Sequence, residues 1–354
     1  MKIPLSEIFE TTENAAETAG FRSPIAKSVN QKGMVVNSVI YKDGKRIGEI
    51  AVEEIGKALS QEGTFVWLGV REPTAKLLEK IQQQFGLHEL AIEDAQSAHQ
   101  RPKLEEYGES LFVVLQTAQL WRDDIVFGET HLFAGSRFLI SIRHNSPLSY
   151  QKVRERCESM PQALAKGPGF PLYAIMDFIV DHYVPVLDGL QIRFEHLEAD
   201  IFKNRMSRDT LEQLYELKRE LLLLRGAVTP LLDICSTLTR FHSDIIPKDV
   251  RFYFRDIYDH VGRLNQTIDN MREMLTAAMQ VHLAVITVGQ NEIVKRLAGW
   301  GAILAIPTMV FSLYGMNFAH MPELDWQFGY PTTLVAVSLS CLWLYWRLRR
   351  VRWL

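Results

Sequence analysis

Two stretches of 18 residues, 297–314 and 329–346, carry no charged side chain. Each is close to the length at which a helix crosses about 30 Å of hydrocarbon, so the pattern predicts two membrane-spanning helices near the C-terminal end. Upstream, apolar residues recur at helical spacing. Val184, Leu187, Leu190, Phe194, Leu197 and Ile201 mark one helix, and Leu211, Leu214, Leu217, Leu221 and Leu224 a second. The two read as an antiparallel pair joined around residues 204–207, with Pro230 kinking or ending the second. After Pro247 no proline occurs until Pro307. One helix is therefore expected to run from residue 249 to 314, roughly 65 residues or about 100 Å, and a helix of that length needs neighbours, which implies an oligomeric bundle.

Residues 34–145 mix the two periodicities. Segments 34–41 and 46–52 flank Asp43-Gly44, a hairpin signal. Further strands are predicted at 64–70, 111–120 and 138–142, with helices at 73–85 and 89–95. The expected organisation is a loosely ordered segment (1–33), a cytoplasmic domain of the α+β class and α/β/α sandwich type (34–170), and a helical hairpin (171–246). A long stalk helix (247–314) then becomes the first span (297–314). A loop (315–328), a second span (329–346) and a basic tail (347–354) follow.

Charge orients this arrangement. Lys295 and Arg296 precede the first span and Arg347, Arg349, Arg350 and Arg352 follow the second, while the intervening loop carries Glu323 and Asp325. By the positive-inside rule both termini are cytoplasmic and the loop is external, as in a multi-pass protein of a bacterial-type inner or plasma membrane. Trp326, Tyr330, Trp343, Tyr345 and Trp346 resemble interfacial anchors of the second span. The opening segment has early acids and no apolar run, unlike a secretory signal. Three widely spaced cysteines form neither a disulfide framework nor a zinc cluster, and a net charge of -3 gives no footprint for nucleic acid. Neither a phosphate loop nor a completed HExxH motif occurs, so an enzyme is not expected.

The first span carries a stripe of small or weakly polar residues: Asn291, Val294, Ala298, Gly301, Ala305, Thr308, Ser312 and Gly315, in alternate steps of three and four. Small residues on one face suit either a helix-packing seam or the wall of a pore. The span ends in Tyr314-Gly315-Met316-Asn317-Phe318, then Met321-Pro322-Glu323-Leu324. GMN beside MPEL between two C-terminal spans, with Asn291, with Tyr253-Phe254-Arg255-Asp256 and Tyr258-Asp259-His260, and with Glu93-Asp94 followed by His99-Gln100-Arg101-Pro102-Lys103, resembles the CorA family of divalent-cation transporters over nearly the whole chain after residue 34.

The resemblance implies a homopentameric funnel in the lipid bilayer that passes Mg²⁺. Gly315, Met316 and Asn317 would form the selective mouth, where neutral amide oxygens hold a hydrated ion without trapping it. Val294 and Leu297 would form an apolar constriction that closes by dewetting. Asp94 and Asp256, with Glu93 beside them, would bind regulatory Mg²⁺ across a subunit boundary. One departure stands out: Ala319 and His320 replace the usual acid and aromatic. His320, a softer ligand near Glu323 and Asp325, widens the expected cations to Co²⁺, Ni²⁺ or Zn²⁺. The alternatives are a zinc transporter of the same superfamily and a membrane-anchored sensor or scaffold without transport.

Overall fold

The computed structural model describes residues 34–97, 100–121, 124–202, 208–241, 244–316, 321 and 326–354. The expected loose segment 1–33, the turn around 204–207, His99, Asn317, Ala319, His320, Glu323 and Asp325 lie outside the described residues. The chain divides into two compact units, 1–275 and 276–354.

The first unit is built on a seven-stranded sheet. Its strands are β1 (Val35–Lys42), β2 (Lys45–Glu49), β3 (Thr64–Arg71), β4 (Lys103–Tyr107), β5 (Ser110–Trp121), β6 (Asp124–Gly135) and β7 (Phe138–His144), in the order β2-β1-β3-β7-β6-β5-β4. Asp43 and Gly44 both have positive φ, 51° and 73°, as the two-residue turn between β1 and β2 demands. The central strand β3 pairs in parallel with β7, Val66 opposite Phe138 through Arg71 opposite Arg143. All other neighbours are antiparallel.

On one face Val66, Leu68, Val70, Phe112, Val114, Phe133, Ile140 and Ile142 bury against Ile55 of α1 (Ile55–Leu59), Leu78 and Ile81 of α2 (Ala75–Phe85), and Ala91, Ile92 and Ala95 of α3 (Glu89–Gln96). Thr74 caps α2 by accepting from the Leu77 amide, and Gly86 ends it in the left-handed conformation. Two short helices, α4 (Gln151–Glu158) and α5 (Pro161–Leu164), precede the long α6 (Gly169–Phe202). The α6 helix lies against β5, where the Tyr183 hydroxyl donates to the Gln116 carbonyl. Helices on both faces of one sheet make the α/β/α arrangement.

Strands β4 and β6 fall where no strand is predicted. β6 hides Glu129 and His131, where His131 Nε2 and Glu129 Oε2 pair at 3.2 Å and the Gln100 amide also donates to Glu129. Buried polar pairs of this kind erase the alternation by which a strand is recognised. Pro230 both stops α7 (Arg208–Val228) and opens α8 (Pro230–Arg240) at its first turn, where the missing N–H costs nothing.

The helix α9 (Lys248–Tyr314) is continuous over 67 residues. In the first unit it buries Val250, Phe254, Ile257, Val261, Leu264, Ile268, Met271 and Leu275, one helical face. Arg225 of α7 reaches Asp269 at 3.2 Å, and Thr229 bonds Asn265 at 2.7 Å.

The second unit comprises the rest of α9 and α10 (Gly329–Arg350). Three described helices are long and apolar enough to cross a membrane. Gly169–Ile201 and Asp209–Arg240 bury 72% and 44% of their most apolar window, whereas Lys248–Tyr314 buries 11%. Protein neighbours cover most of the first window and a little under half of the second. α10 falls outside this set: its opening Gly-Tyr-Pro-Thr-Thr and its aromatic tail dilute the apolar run.

Candidate functional site

The span portion of α9 meets α10 on one side. Ile303 is buried there, Trp300 and Tyr345 lie 6.3 Å apart, and a side chain added at Gly299 would come within 3.3 Å of Leu354. At about 100° per residue, Val294, Ala298, Gly301, Ala305, Thr308 and Ser312 project roughly 140–220° away from Ile303. All of them, with Asn291 and Gly315, are exposed. The stripe is therefore not the seam between the two helices of the hairpin. Val294 and Leu297 are 62% and 73% exposed. The Thr308 hydroxyl donates to the Leu304 carbonyl at 2.8 Å, which leaves its oxygen able to accept from a hydrating water.

Pro307 lies inside this helix and has no N–H to give the carbonyl four residues earlier, that of Ile303. The Cys341 thiol of α10 donates to that carbonyl at 3.7 Å. An orphaned backbone acceptor in a span is thus met by a weak donor from the neighbouring helix.

At its C-terminal end the helix closes with Gly315 N donating to Phe311 O at 2.9 Å and Met316 N to Leu313 O at 3.2 Å. A Cβ on Gly315 would stand 3.3 Å from the Phe311 carbonyl, so a larger residue crowds this last turn.

The expected regulatory carboxylates both belong to the first unit. Asp94 is on the last turn of α3, its side chain 27% exposed, and its Oδ2 receives Lys103 Nζ at 2.6 Å. Glu93 is exposed. Asp256 on α9, 61% exposed, has His260 Nε2 at 3.7 Å. Among the described residues no group of three or more His, Cys, Asp or Glu is arranged to hold a metal ion. Asp94 and Asp256 are therefore not gathered into a closed cage within one chain.

The structure gives roles to residues that the sequence reading left without one: Lys103, named there only within a motif, and Glu105 and Tyr107. On β4, Lys103, Glu105 and Tyr107 alternate onto one face. Lys103 Nζ also touches Glu105 Oε1 at 3.0 Å, and the Tyr107 hydroxyl donates to Glu105 Oε2 at 2.9 Å. Burial pulls the Lys103 ammonium down, but its bonds to Asp94 and Glu105 outweigh that and hold its pKa above the usual lysine value. Tyr107 is raised by burial first and then by Glu105. On α6, Asp181 is raised by burial first and then by Asp177, with His260 of α9 opposing. The alternation Lys-x-Glu-x-Tyr is visible in the sequence once β4 is known to be a strand.

A family model described as CorA-like Mg2+ transporter protein matches residues 62–350. Among curated proteins, the cobalt/magnesium transport protein CorA of Thermotoga maritima is 28% identical over 287 residues, 78% of this chain and 80% of that one. The putative metal ion transporter YfjQ of Bacillus subtilis is 30% identical over 246 residues, 70% and 76% of the two chains. The solved structure of the CorA magnesium transporter from Methanocaldococcus jannaschii superposes with a TM-score of 0.73 at 22% identity, covering 90% of this chain and 99% of that one.

Proposed function

The chain belongs to the family of CorA-like Mg²⁺ transporter proteins, a family of divalent-cation transporters rather than enzymes, and from that premise we propose a passive Mg²⁺ uptake channel that also admits Co²⁺ or Ni²⁺. The observation that carries this reading is the stripe from Asn291 to Gly315. It is small and weakly polar, it is exposed, and it points away from the partner helix of its own hairpin. Several copies arranged around an axis, five by family resemblance, would turn it into a pore wall. A simple anchor has no use for such a face.

Gly315, Met316 and Asn317 would form the mouth, with the amide of Asn317 holding the ion through its water shell. His320, Glu323 and Asp325 would line the approach. Val294 and Leu297 would supply the apolar ring that stops ions when dry. Entry would follow the electrical gradient, worth about 4.6 kcal/mol for a divalent ion at 100 mV. Lys295, Arg296 and the arginines after Trp346 favour a plasma-membrane orientation with both ends cytoplasmic.

Feedback would come from Asp94 and Asp256. Mg²⁺ keeps most of its waters and is commonly bound through one or two carboxylates, so two acids on separate elements fit it when a neighbouring copy completes the pair. A bound ion would supply positive charge that cancels carboxylate repulsion. Asp94 and Asp256 would then draw adjacent copies together, and α9, which carries both Asp256 and Val294, would transmit the change by population shift.

Purified protein in liposomes provides the test. Mg²⁺ flux that rises with an inside-negative potential and falls at least about tenfold in Asn317→Ala is expected. Wild-type flux through an assembled Asn317→Ala protein would overturn the mouth assignment, and absence of flux from the native chain would overturn transport.

A further inference from the structure

The carboxylate assigned above to Mg²⁺ sensing is already occupied by a charge from its own chain. Lys103 Nζ rests 2.6 Å from Asp94 Oδ2 and 3.0 Å from Glu105 Oε1. All three side chains are shielded, with exposures of 29%, 27% and 36%. The arrangement is held at both ends of α3. Its N-cap His88 stacks on Tyr107 with centroids 4.8 Å apart, while Tyr107 bonds Glu105. Lys103 also faces the Phe112 ring at 6.0 Å and stands by the C-terminal turn of α3, where a cation is favoured.

We infer that Lys103 is a tethered cation that competes with Mg²⁺ for Asp94, and that Glu105 is the seat to which its ammonium withdraws when the ion enters. The inference rests on Asp94 being part of the sensing site. An ammonium and a divalent ion on one carboxylate repel each other, so the ion binds fully only when the lysine moves. Lysine is suited to this: its ammonium is a compact point charge on a flexible stem, without the fixed fork of arginine. Because Nζ already touches Glu105, a small rotation of the side chain completes the exchange without leaving an unpaired charge. The balance between the two seats then sets the Mg²⁺ concentration at which the chain responds.

The experiment is limited proteolysis of the full-length protein in lipid nanodiscs, titrated with Mg²⁺ at constant ionic strength, reading the midpoint of protection. Lys103→Met should lower the midpoint by about tenfold, the scale of one partly shielded charge-assisted bond. Glu105→Gln should raise it about threefold, since the lysine loses its second seat. Glu106→Gln, on the other face of β4, removes the same charge and should leave the midpoint in place. Asp94→Ala should abolish the protection. Unshifted midpoints in Lys103→Met and Glu105→Gln, with protection lost in Asp94→Ala, would overturn the competition and leave the sensing role standing. Protection that survives Asp94→Ala would overturn both. Equal shifts in Glu105→Gln and Glu106→Gln would reduce the effect to general charge and also overturn the exchange. Should Lys103→Met fail to assemble, the contrast between Glu105→Gln and Glu106→Gln decides alone.

Discussion

The two parts of α9 share one backbone conformation and have opposite relations to their surroundings. Before Leu275, every third or fourth residue is an apolar side chain buried in its own unit: Phe254, Ile257, Val261, Ile268. Beyond Thr276, comparable side chains such as Leu297, Leu304, Met309 and Leu313 are open. A helix buried by its own chain needs only one apolar face, whereas a helix apolar nearly all round needs lipid or other copies. The contrast locates where stability comes from in each part, and function is expected where self-burial ends.

The strongest test of the contrast is truncation on each side of the boundary. Phe254→Ala removes a fully buried ring and should cost about 3–5 kcal/mol in denaturant unfolding of the detergent-solubilised protein. Leu304→Ala should cost less than about 0.5 kcal/mol in the same measurement. Similar losses would erase the contrast and mean that contacts beyond the single chain, with other copies, stabilise the span as strongly as self-burial stabilises the first unit.

Next in size are changes confined to the open part. Ala305→Leu fills the stripe and should cut liposome Mg²⁺ flux at least about tenfold with folding unchanged. Phe311→Leu, off the stripe, should keep flux within about twofold. Equal effects would return the stripe to an ordinary packing surface.

A smaller effect belongs to the self-buried part alone. Burial lowers the pKa of His131 below its ordinary 6.5, with Glu129 opposing and His144 reinforcing the shift. The unfolded chain therefore takes up that proton first. The stabilisation is complete above about pH 6.5 and declines as pH falls toward the folded value, by at most about 1.4 kcal/mol per pH unit. Unfolding midpoints of the native chain should fall between pH 7 and 5, and His131→Gln should flatten that slope. An unchanged slope would assign the acid sensitivity to other groups.

The smallest effect should come from the surface. Lys80 and Glu53 form a 2.8 Å pair in which both side chains are about half exposed or more, and Lys80→Met should leave the unfolding midpoint unchanged, because solvent screens the pair. A large loss would mean that surface charge contributes to the first unit as much as its core does.

Much of this division is legible in the sequence. The long proline-free interval announces α9, and the charge-free run with its stripe announces the span, because both depend on local composition. The Asp43-Gly44 turn is readable for the same reason. Strand β6 is not, since Glu129 and His131 are tolerable in a core only through partners the fold supplies, each other and the Gln100 amide among them. Nor is the lysine on Asp94, since β4 is an edge strand with only intermediate burial and the pairing depends on how α3 crosses it. At the candidate site, single-chain motifs identify residues of the right type, while the partners that tune them come from elsewhere in the fold.

The bond between Cys341 and the Ile303 carbonyl makes two distant positions a single heritable unit. Losing the thiol alone strands a carbonyl that Pro307 has released, in a setting where water is scarce. Losing the proline alone gives the carbonyl back its own helical amide and makes the thiol redundant. The order of replacement therefore matters: removing Cys341 should cost more while Pro307 is present than after Pro307 has been replaced.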